Sequence, residues 1–420
     1  MLTRRVFLGA CGSAAIVPAA QIRREIFLAS SVPGSAALVS AYYVRPAGGD
    51  MVSIESRMSR SDTVDSVYYR YSSDYGRTWS APSARLVTEK RPNGAWRKAP
   101  RGVFVDPTGI ALEFWMEATL PTDDPLEGLR RWTIWYSVST DGGRSQRLSR
   151  QIVHHGAGFT PEHPLPGVYI GKNSYMLGDI TSVPIWLPDG SLLLPAMIAP
   201  LAADGTSLYN PSNAYTYHDT AILHARWKGG ELVWELRGQV ASNPERSTRG
   251  YIEPTLGLLK DGRLLVVMRG SNDRRHELPS YRWVAFSKDQ GRTFSTPVPW
   301  TYANGESFFS PSSCSQLVAH SSGRLFWLGN ITPTNPKGNR PRYPFVICEV
   351  DRASGLLRKE TLRTVDDLQS GEDPVLTLSN FYAREDRQSG DIHLHMTRLF
   401  ASSEKPWKGD AYLYRIPING

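Results

Sequence analysis

Cysteine is scarce in this chain, which has 3 cysteines among 420 residues and no cysteine or histidine spacing typical of a metal site. We therefore expect no bound metal and no cofactor. The sequence also lacks a stretch with sustained helical periodicity of apolar residues, which argues against a helical fold. Lysine and arginine give a formal net charge of +8, but they form no dense run, so we expect no nucleic-acid partner. Isolated arginines suit an acidic sugar or polysaccharide better.

A repeated turn is the main feature that is present. The segment SKDQGRTF at 287–294 matches SSDYGRTW at 72–79, and STDGGRSQ at 139–146 is a weaker copy. Each copy has an Asp side chain that can accept backbone hydrogen bonds and a Gly suited to a positive φ, as in a hairpin. Asp74 and Asp141 are 67 residues apart, and Asp141 and Asp289 are 148 apart, which is about twice that spacing. A degenerate copy is therefore expected between Asp141 and Asp289. The segment WKGG at 227–230 lies there.

A second repeat predicts the number of sheets. A turn rich in Gly, Asp or Ser precedes a short apolar run six times, at 48–50, 107–109, 188–190, 260–262, 321–323 and 388–390. Short runs of this kind, bounded by turn residues, are typical of buried strands. The sequence therefore predicts an all-β, six-bladed β-propeller over residues 21–420, in which the segment at 26–28 pairs with the C-terminal strands and closes the last blade.

The N-terminus resembles an export signal. The segment TRRVFL at 3–8 matches the twin-arginine pattern, and an apolar stretch and small residues follow it. We expect residues 1–20 to be a twin-arginine signal peptide and the mature protein to be periplasmic or secreted, with no integral membrane segment. An ordinary secretory signal, or a cytoplasmic tail with a chance arginine pair, is the alternative. Cys11 also fits a lipoprotein cleavage site.

These turns, together with the segment 253–269, resemble the sialidase (neuraminidase) superfamily of six-bladed propellers over residues 25 to 420. The resemblance implies an exo-glycosidase that releases a terminal acidic sugar. In that family three arginines bind the sugar carboxylate, a Tyr assisted by a Glu is the nucleophile, and an Asp is the acid/base. The repeated Asp turns lie away from the family's site, so their Asp residues are not candidates.

The resemblance places the site on particular residues. Glu253 matches the family's Glu, and Arg269, on the second strand of the same hairpin, matches a carboxylate-binding arginine. In the first blade, Arg57 matches another arginine and Asp62 the acid/base. A surface salt bridge and a charged surface loop are the alternatives for these two pairs.

The later blades match less well. Arg342, in preference to Arg340, matches a third arginine in the fifth blade. In the sixth blade Leu378 stands where the family has its Tyr, and the nearest phenol, Tyr382, is displaced along the strand. The early arginine of the family is missing near 36–39.

These departures leave two other functions open. One is another carbohydrate-active propeller enzyme, a hydrolase or lyase of a uronic or deoxy sugar, and the other is a glycan-binding propeller without activity. Weaker site candidates are His218 with Asp219, the pair His393 and His395, and three possible sugar-stacking tryptophans, Trp96, Trp115 and Trp186. The sequence does not predict an oligomeric state.

Overall fold

Short apolar runs between Gly- and Asp-containing turns form the strands, and runs such as 192–198 and 264–269 are buried on both faces of their sheets. The computed structural model describes residues 21–418, and these form six antiparallel sheets arranged as a six-bladed β-propeller. The predicted fold class is confirmed.

The strands follow the chain blade by blade. The first strand, β1 (Arg23–Leu28), belongs to the last blade. Blade 1 contains β2 (Ala36–Tyr43), β3 (Met51–Met58), β4 (Ser66–Ser72) and β5 (Ser83–Arg85). Blade 2 contains β6 (Thr88–Arg91), β7 (Gly94–Val105), β8 (Ala111–Leu120), β9 (Thr133–Ser139) and β10 (Leu148–Gln151), with a 3₁₀ helix, Pro125–Arg130, between β8 and β9. Blade 3 contains β11 (Tyr175–Met176), β12 (Ile185–Trp186), β13 (Leu192–Ile198), β14 (Asp219–Lys228) and β15 (Glu231–Val240).

The second half of the ring is built in the same way. Blade 4 contains β16 (Ile252–Leu258), β17 (Leu264–Arg269), β18 (Arg282–Ser287) and β19 (Val298–Pro299). Blade 5 contains β20 (Gln316–Ala319), β21 (Leu325–Asn330), β22 (Phe345–Val350) and β23 (Arg363–Asp366), with a second 3₁₀ helix at Lys359–Thr361. Blade 6 contains β24 (Phe381–Glu385), β25 (Ile392–Leu399) and β26 (Gly409–Ile416) with β1.

The predicted turns join the strands as expected. The turn at 260–262, for example, joins β16 to β17, and the Asp turn at 287–294 joins β18 to β19. In that turn Asp289 accepts the backbone N–H of Thr293 at 2.9 Å, and Gly291 has a φ of 87°. The degenerate copy at 227–230 lies between β14 and β15. Each Asp turn therefore fixes the outer hairpin of a blade.

The ring is closed by the N-terminal strand, as predicted. β1 pairs antiparallel with β26, with Glu25 opposite Leu413. Closure also links blades 6 and 1, since the Thr397 hydroxyl donates to the Ala37 carbonyl at 2.7 Å. Pairing the first and last strands of the chain in one sheet holds the ring closed.

Both cysteines of the described part, Cys314 and Cys348, are buried and free. No helix within residues 21–418 has the length and apolar character needed to cross a membrane. The predicted signal at 1–20, with Cys11, lies outside the described residues.

Candidate active site

A cavity of about 390 Å³ lies where all six blades meet. One lining residue from each blade in order is Ser40, Arg101, Met197, Glu253, Arg342 and Leu399. Its size is typical of a small-molecule site, so it fits one or two sugar rings rather than a long chain. Predicted site residues that line it are Glu253, Arg269, Arg342 and Asp62.

Glu253 and Arg269 form an ion pair at this cavity. Glu253 lies at a bulge in β16 and has a φ of 48°, and Arg269 ends the neighbouring strand β17. Nη1 of Arg269 donates to Oε1 of Glu253, and its Nε donates to the Ser312 hydroxyl at 2.7 Å. A Cβ at Gly178 would lie 2.8 Å from Cγ of Glu253, so blade 3 needs glycine at this contact. The bulge and the glycine together turn the carboxylate toward the arginine.

The ion pair holds Glu253 in its charged form. Burial alone would raise the pKa of this carboxyl, but the charge of Arg269 and its hydrogen bond lower the pKa to about 2. The second oxygen, Oε2, is buried and has no hydrogen-bond partner among the described residues. An ionised oxygen is thus available beside the cavity.

Two further arginines surround this pair. Arg342 donates from Nη2 to the Ser312 carbonyl at 3.0 Å, and Arg249, just before β16, donates to the Thr216 hydroxyl at 2.7 Å. Burial, followed by the charge of Arg269, lowers the pKa of each to about 10. Within residues 21–418 the Nε atoms of both are buried without a partner. An anion in the cavity would compensate these three charges.

Sequence reasoning missed Arg249. The available signal was its position four residues before Glu253, in the same segment. It lines the cavity from the segment between blades 3 and 4.

A second carboxyl group, Asp179, was also missed. It lies between β11 and β12, where no motif marks it, and it lines the cavity. The Cys314 thiol donates to its Oδ2 at 3.1 Å, and the Asn380 amide donates to the same oxygen at 3.3 Å. Burial raises the pKa of Asp179, the nearby Arg101 charge partly offsets this, and the Glu253 charge adds to it. Asp179 and Glu253 therefore have pKa values shifted in opposite directions within one cavity.

Asp62 lies at the exposed side of the cavity. Its Oδ2 accepts the hydroxyl of Tyr215 at 3.1 Å, which links the loop after β3 to the loop before β14. Tyr215 is the one tyrosine among the described lining residues, and its ring contacts the guanidinium of Arg249 at 5.5 Å. The neighbouring Asp65 instead accepts the Ser59 backbone N–H, so Asp62 is the carboxylate that this loop presents.

The structure does not bring Arg57 or Tyr382 to the cavity. On β3, Ile54, Ser56 and Met58 line the cavity, and strand alternation places Arg57 on the opposite face. Tyr382 packs against Tyr42 of blade 1, with ring centroids 4.3 Å apart. Burial raises the pKa of the Tyr382 phenol, which makes it a poor nucleophile in this position.

Leu378 and Arg340 were the less favoured positions in the sequence analysis, and neither lies deep in the cavity. Leu378 is buried in the core, whereas the next residue, Ser379, lines the cavity. Arg340 lies at the cavity edge and pairs with Glu404 at 2.7 Å. The preference for Arg342 thus agrees with its deeper position.

The weaker histidine candidates do not form catalytic pairs. His218 lines the cavity, and burial lowers its pKa to about 3, but Asp219 instead accepts the Ser242 backbone N–H at 2.8 Å. His395 packs against Phe27 at 4.7 Å, away from the cavity. Within residues 21–418 no group of three or more His, Cys, Asp or Glu side chains is arranged to hold a metal.

The three tryptophans named from the sequence do not line the cavity; Trp132 and Trp407 do. Trp115 stacks on Trp135 within blade 2, with ring centroids 6.3 Å apart. The expectation of tryptophan at the cavity is therefore met by Trp132 and Trp407 and not by the three tryptophans named from the sequence.

The structure defines the protein as a six-bladed propeller with Asp turns, in which arginines and carboxylates line a cavity where the blades meet. The model of the family described as "BNR repeat-like domain" matches residues 103–372, and the chain belongs to this family. None of the curated proteins compared with the chain matches it.

Solved structures share the fold at low identity. A protein of unknown function from Dyadobacter fermentans is 13% identical, with a TM-score of 0.59, and the match covers 94% of this chain and 99% of that one. The NanB sialidase from Streptococcus pneumoniae is 11% identical, with a TM-score of 0.58 and coverages of 94% and 70%. An α-L-arabinofuranosidase from Fusarium graminearum is 13% identical, with a TM-score of 0.51 and coverages of 91% and 93%. At these identities the likeness establishes the propeller fold.

Proposed function

We propose that this protein is an exo-glycosidase of the sialidase type that releases a terminal acidic sugar from a glycan. One observation carries the proposal: a single cavity is lined by two carboxyl groups with oppositely shifted pKa values and by Arg249, Arg269 and Arg342. Most glycosidases use one carboxyl group as an acid and one as a carboxylate, and the opposite pKa directions of Asp179 and Glu253 suit this division. That solved sialidases and an arabinofuranosidase have this fold is consistent with the proposal.

The arginines bind the acidic group of the sugar. Arg249, Arg269 and Arg342 offer guanidinium groups, whose planar geometry matches a carboxylate. Because the charge of Arg269 lowers the pKa values of Arg249 and Arg342, an anion that compensates these charges binds favourably. A cavity of about 390 Å³ admits the end of a glycan, which fits exo action.

The two carboxyl groups divide the chemistry. Asp179, in its protonated form, donates its proton to the glycosidic oxygen as the bond to the anomeric carbon breaks. Glu253, ionised, faces the positive charge that develops at this carbon and assists attack by water or by a nucleophile. These roles replace the Tyr382 nucleophile and the Asp62 acid that the sequence suggested.

A second candidate is a glycosidase of a different sugar. The absence of Tyr382 from the cavity favours it, because a phenol nucleophile is the feature that suits an anionic sugar substrate. The third candidate is a glycan-binding propeller without turnover.

A substrate panel separates the three functions. Purified protein would be assayed with the 4-methylumbelliferyl glycosides of N-acetylneuraminic acid, glucuronic acid and L-arabinofuranose. Turnover of the N-acetylneuraminic acid glycoside alone supports the proposal, and turnover of the glucuronide or the arabinofuranoside alone supports the second candidate. Binding of an acidic oligosaccharide without turnover of any glycoside supports the third.

Export is part of the same proposal. The twin-arginine pattern at 3–8 supports export. A glycosidase that acts on extracellular glycans also has to be exported.

A further inference from the structure

An unusual donor contacts the buried acid of this site. Cys314, in the segment before β20, is buried, and its Sγ donates to Oδ2 of Asp179 from 3.1 Å. The contact joins the segment before blade 5 to a loop of blade 3. Both residues line the cavity, so the contact belongs to its wall.

The thiol stays protonated. Burial, together with the charges of Glu253 and Asp179, raises the pKa of the Cys314 thiol well above its usual value, although Arg269 and Arg342 oppose this. The S–H group is therefore a donor at neutral pH. A thiol is a weak donor compared with a hydroxyl or an amide.

Both oxygens of Asp179 receive hydrogen bonds. Oδ1 accepts the backbone N–H of Ile180 at 2.7 Å, while Oδ2 accepts the thiol of Cys314 and the amide of Asn380. All three donors favour the ionised carboxylate. Of the two side-chain donors, the thiol approaches Oδ2 more closely.

The charged and titratable groups around Asp179 act in different directions. Arg101 from β7 favours the ionised form, and Glu253 from β16 favours the protonated form. The phenol of Tyr42, from β2, is also within electrostatic range and is neutral at ordinary pH, since burial raises its pKa. Burial is the largest influence on Asp179 and favours the protonated acid.

We propose that Cys314 is a positioning residue whose thiol orients the carboxyl group of Asp179 and sets the pH at which this group gives up its proton. A weak donor holds Oδ2 in place without stabilising the ionised form as strongly as a hydroxyl would. The catalytic meaning of the inference rests on the proposed function, but the contact itself is tested without turnover.

Two substitutions are expected to act in opposite directions. Cys314→Ser keeps the shape and supplies a stronger donor, so the pKa of Asp179 falls. Cys314→Ala removes the donor, so the pKa rises. Each shift is expected to be about half to one pH unit, the size that one ordinary hydrogen bond supports, because a thiol is a weak donor.

The direct test is the infrared S–H stretching band. The difference spectrum between the unmodified protein and Cys314→Ala isolates the band of this thiol. We expect the band to change frequency as Asp179 is titrated, and to lose this pH dependence in Asp179→Asn. A band that is independent of pH, or that titrates alike in both proteins, overturns the proposal.

The second test is the pH dependence of kcat/KM on whichever glycoside is turned over. The alkaline limb should move to lower pH in Cys314→Ser and to higher pH in Cys314→Ala. Cys348→Ser, at the other buried thiol, is the matched control and should leave the limb in place. Circular dichroism checks that all variants fold.

The two failures are distinguishable. If no glycoside is turned over by the unmodified protein, the proposed function fails and the infrared test still decides the contact. If turnover depends on Asp179 but neither Cys314 variant moves the alkaline limb, the role of the thiol fails and the proposed function stands.

Discussion

Arg269 and Glu253 lie side by side on neighbouring strands, with side chains exposed to only 6% and 13%. A hairpin at 260–262 brings them together, and a bulge at Glu253 turns its carboxylate toward the cavity. A buried ion pair is expensive unless its charges are used or fully satisfied. Since Oε2 of Glu253 has no partner among the described residues, the pair is better explained by a ligand than by stability alone.

Glu253→Gln should separate catalysis from folding. The amide keeps the shape and an acceptor for Arg269 but removes the charge, so we expect turnover to fall about a hundredfold or more while substrate binding is kept. Rates and KM on the active glycoside measure this. A lowered melting temperature with full specific activity of the folded fraction would instead identify a structural ion pair.

Arg269→Lys should impair binding of anions selectively. Lysine keeps the charge but loses the planar fork, so KM for an acidic glycoside should rise with little change toward a neutral analogue. Arg57→Lys is the matched control, because Arg57 lies on the other face of its strand. Equal effects of the two substitutions would contradict the placement of the anion site.

Asp179→Asn and Asp62→Asn compare the two candidate acids. We expect the larger loss of kcat, about a hundredfold or more, for Asp179, which is buried and has a raised pKa. Asp179→Asn should also remove the alkaline limb of the pH profile. A larger loss for Asp62→Asn would assign the acid to the loop that the sequence indicated.

Asp179→Asn should also change stability with pH. In the folded protein burial raises the pKa of Asp179, so the unfolded chain gives up this proton first as pH rises. An ionised Asp179 therefore opposes folding, with no effect below its unfolded pKa of about 4 and the full effect above its folded pKa. We expect the variant to melt higher than the unmodified protein at pH 8 and nearly equally at pH 3.5. An equal difference at both pH values would argue against a raised pKa.

The export prediction concerns Arg4 and Arg5. A receptor reads both arginines, so charge alone does not replace them, and changing both to lysine should retain the precursor in the cytoplasm. Cell fractionation with an antibody to the protein measures this. Normal export of the double variant would leave only a generic signal.

The sequence by itself determined the fold, because the turns that define the blades are recognisable from short sequence segments. Asp and Gly turns at 72–79, 139–146 and 287–294 and six shorter turns fix hairpins through contacts within a few residues, and their count gives the number of blades. The pair Glu253 and Arg269 was also readable, since one hairpin joins its two strands.

Tertiary structure decided the rest of the site. Asp179, Arg249 and Cys314 come from three loops that meet only when the ring closes, and no local pattern marks them. Arg57 matched the family's spacing and Tyr382 was the phenol nearest to the family's Tyr position. The face that a strand residue occupies depends on register, however, and neither residue lines the cavity. Burial against other blades, which sets the opposed pKa values of Asp179 and Glu253, likewise exists only in the folded ring.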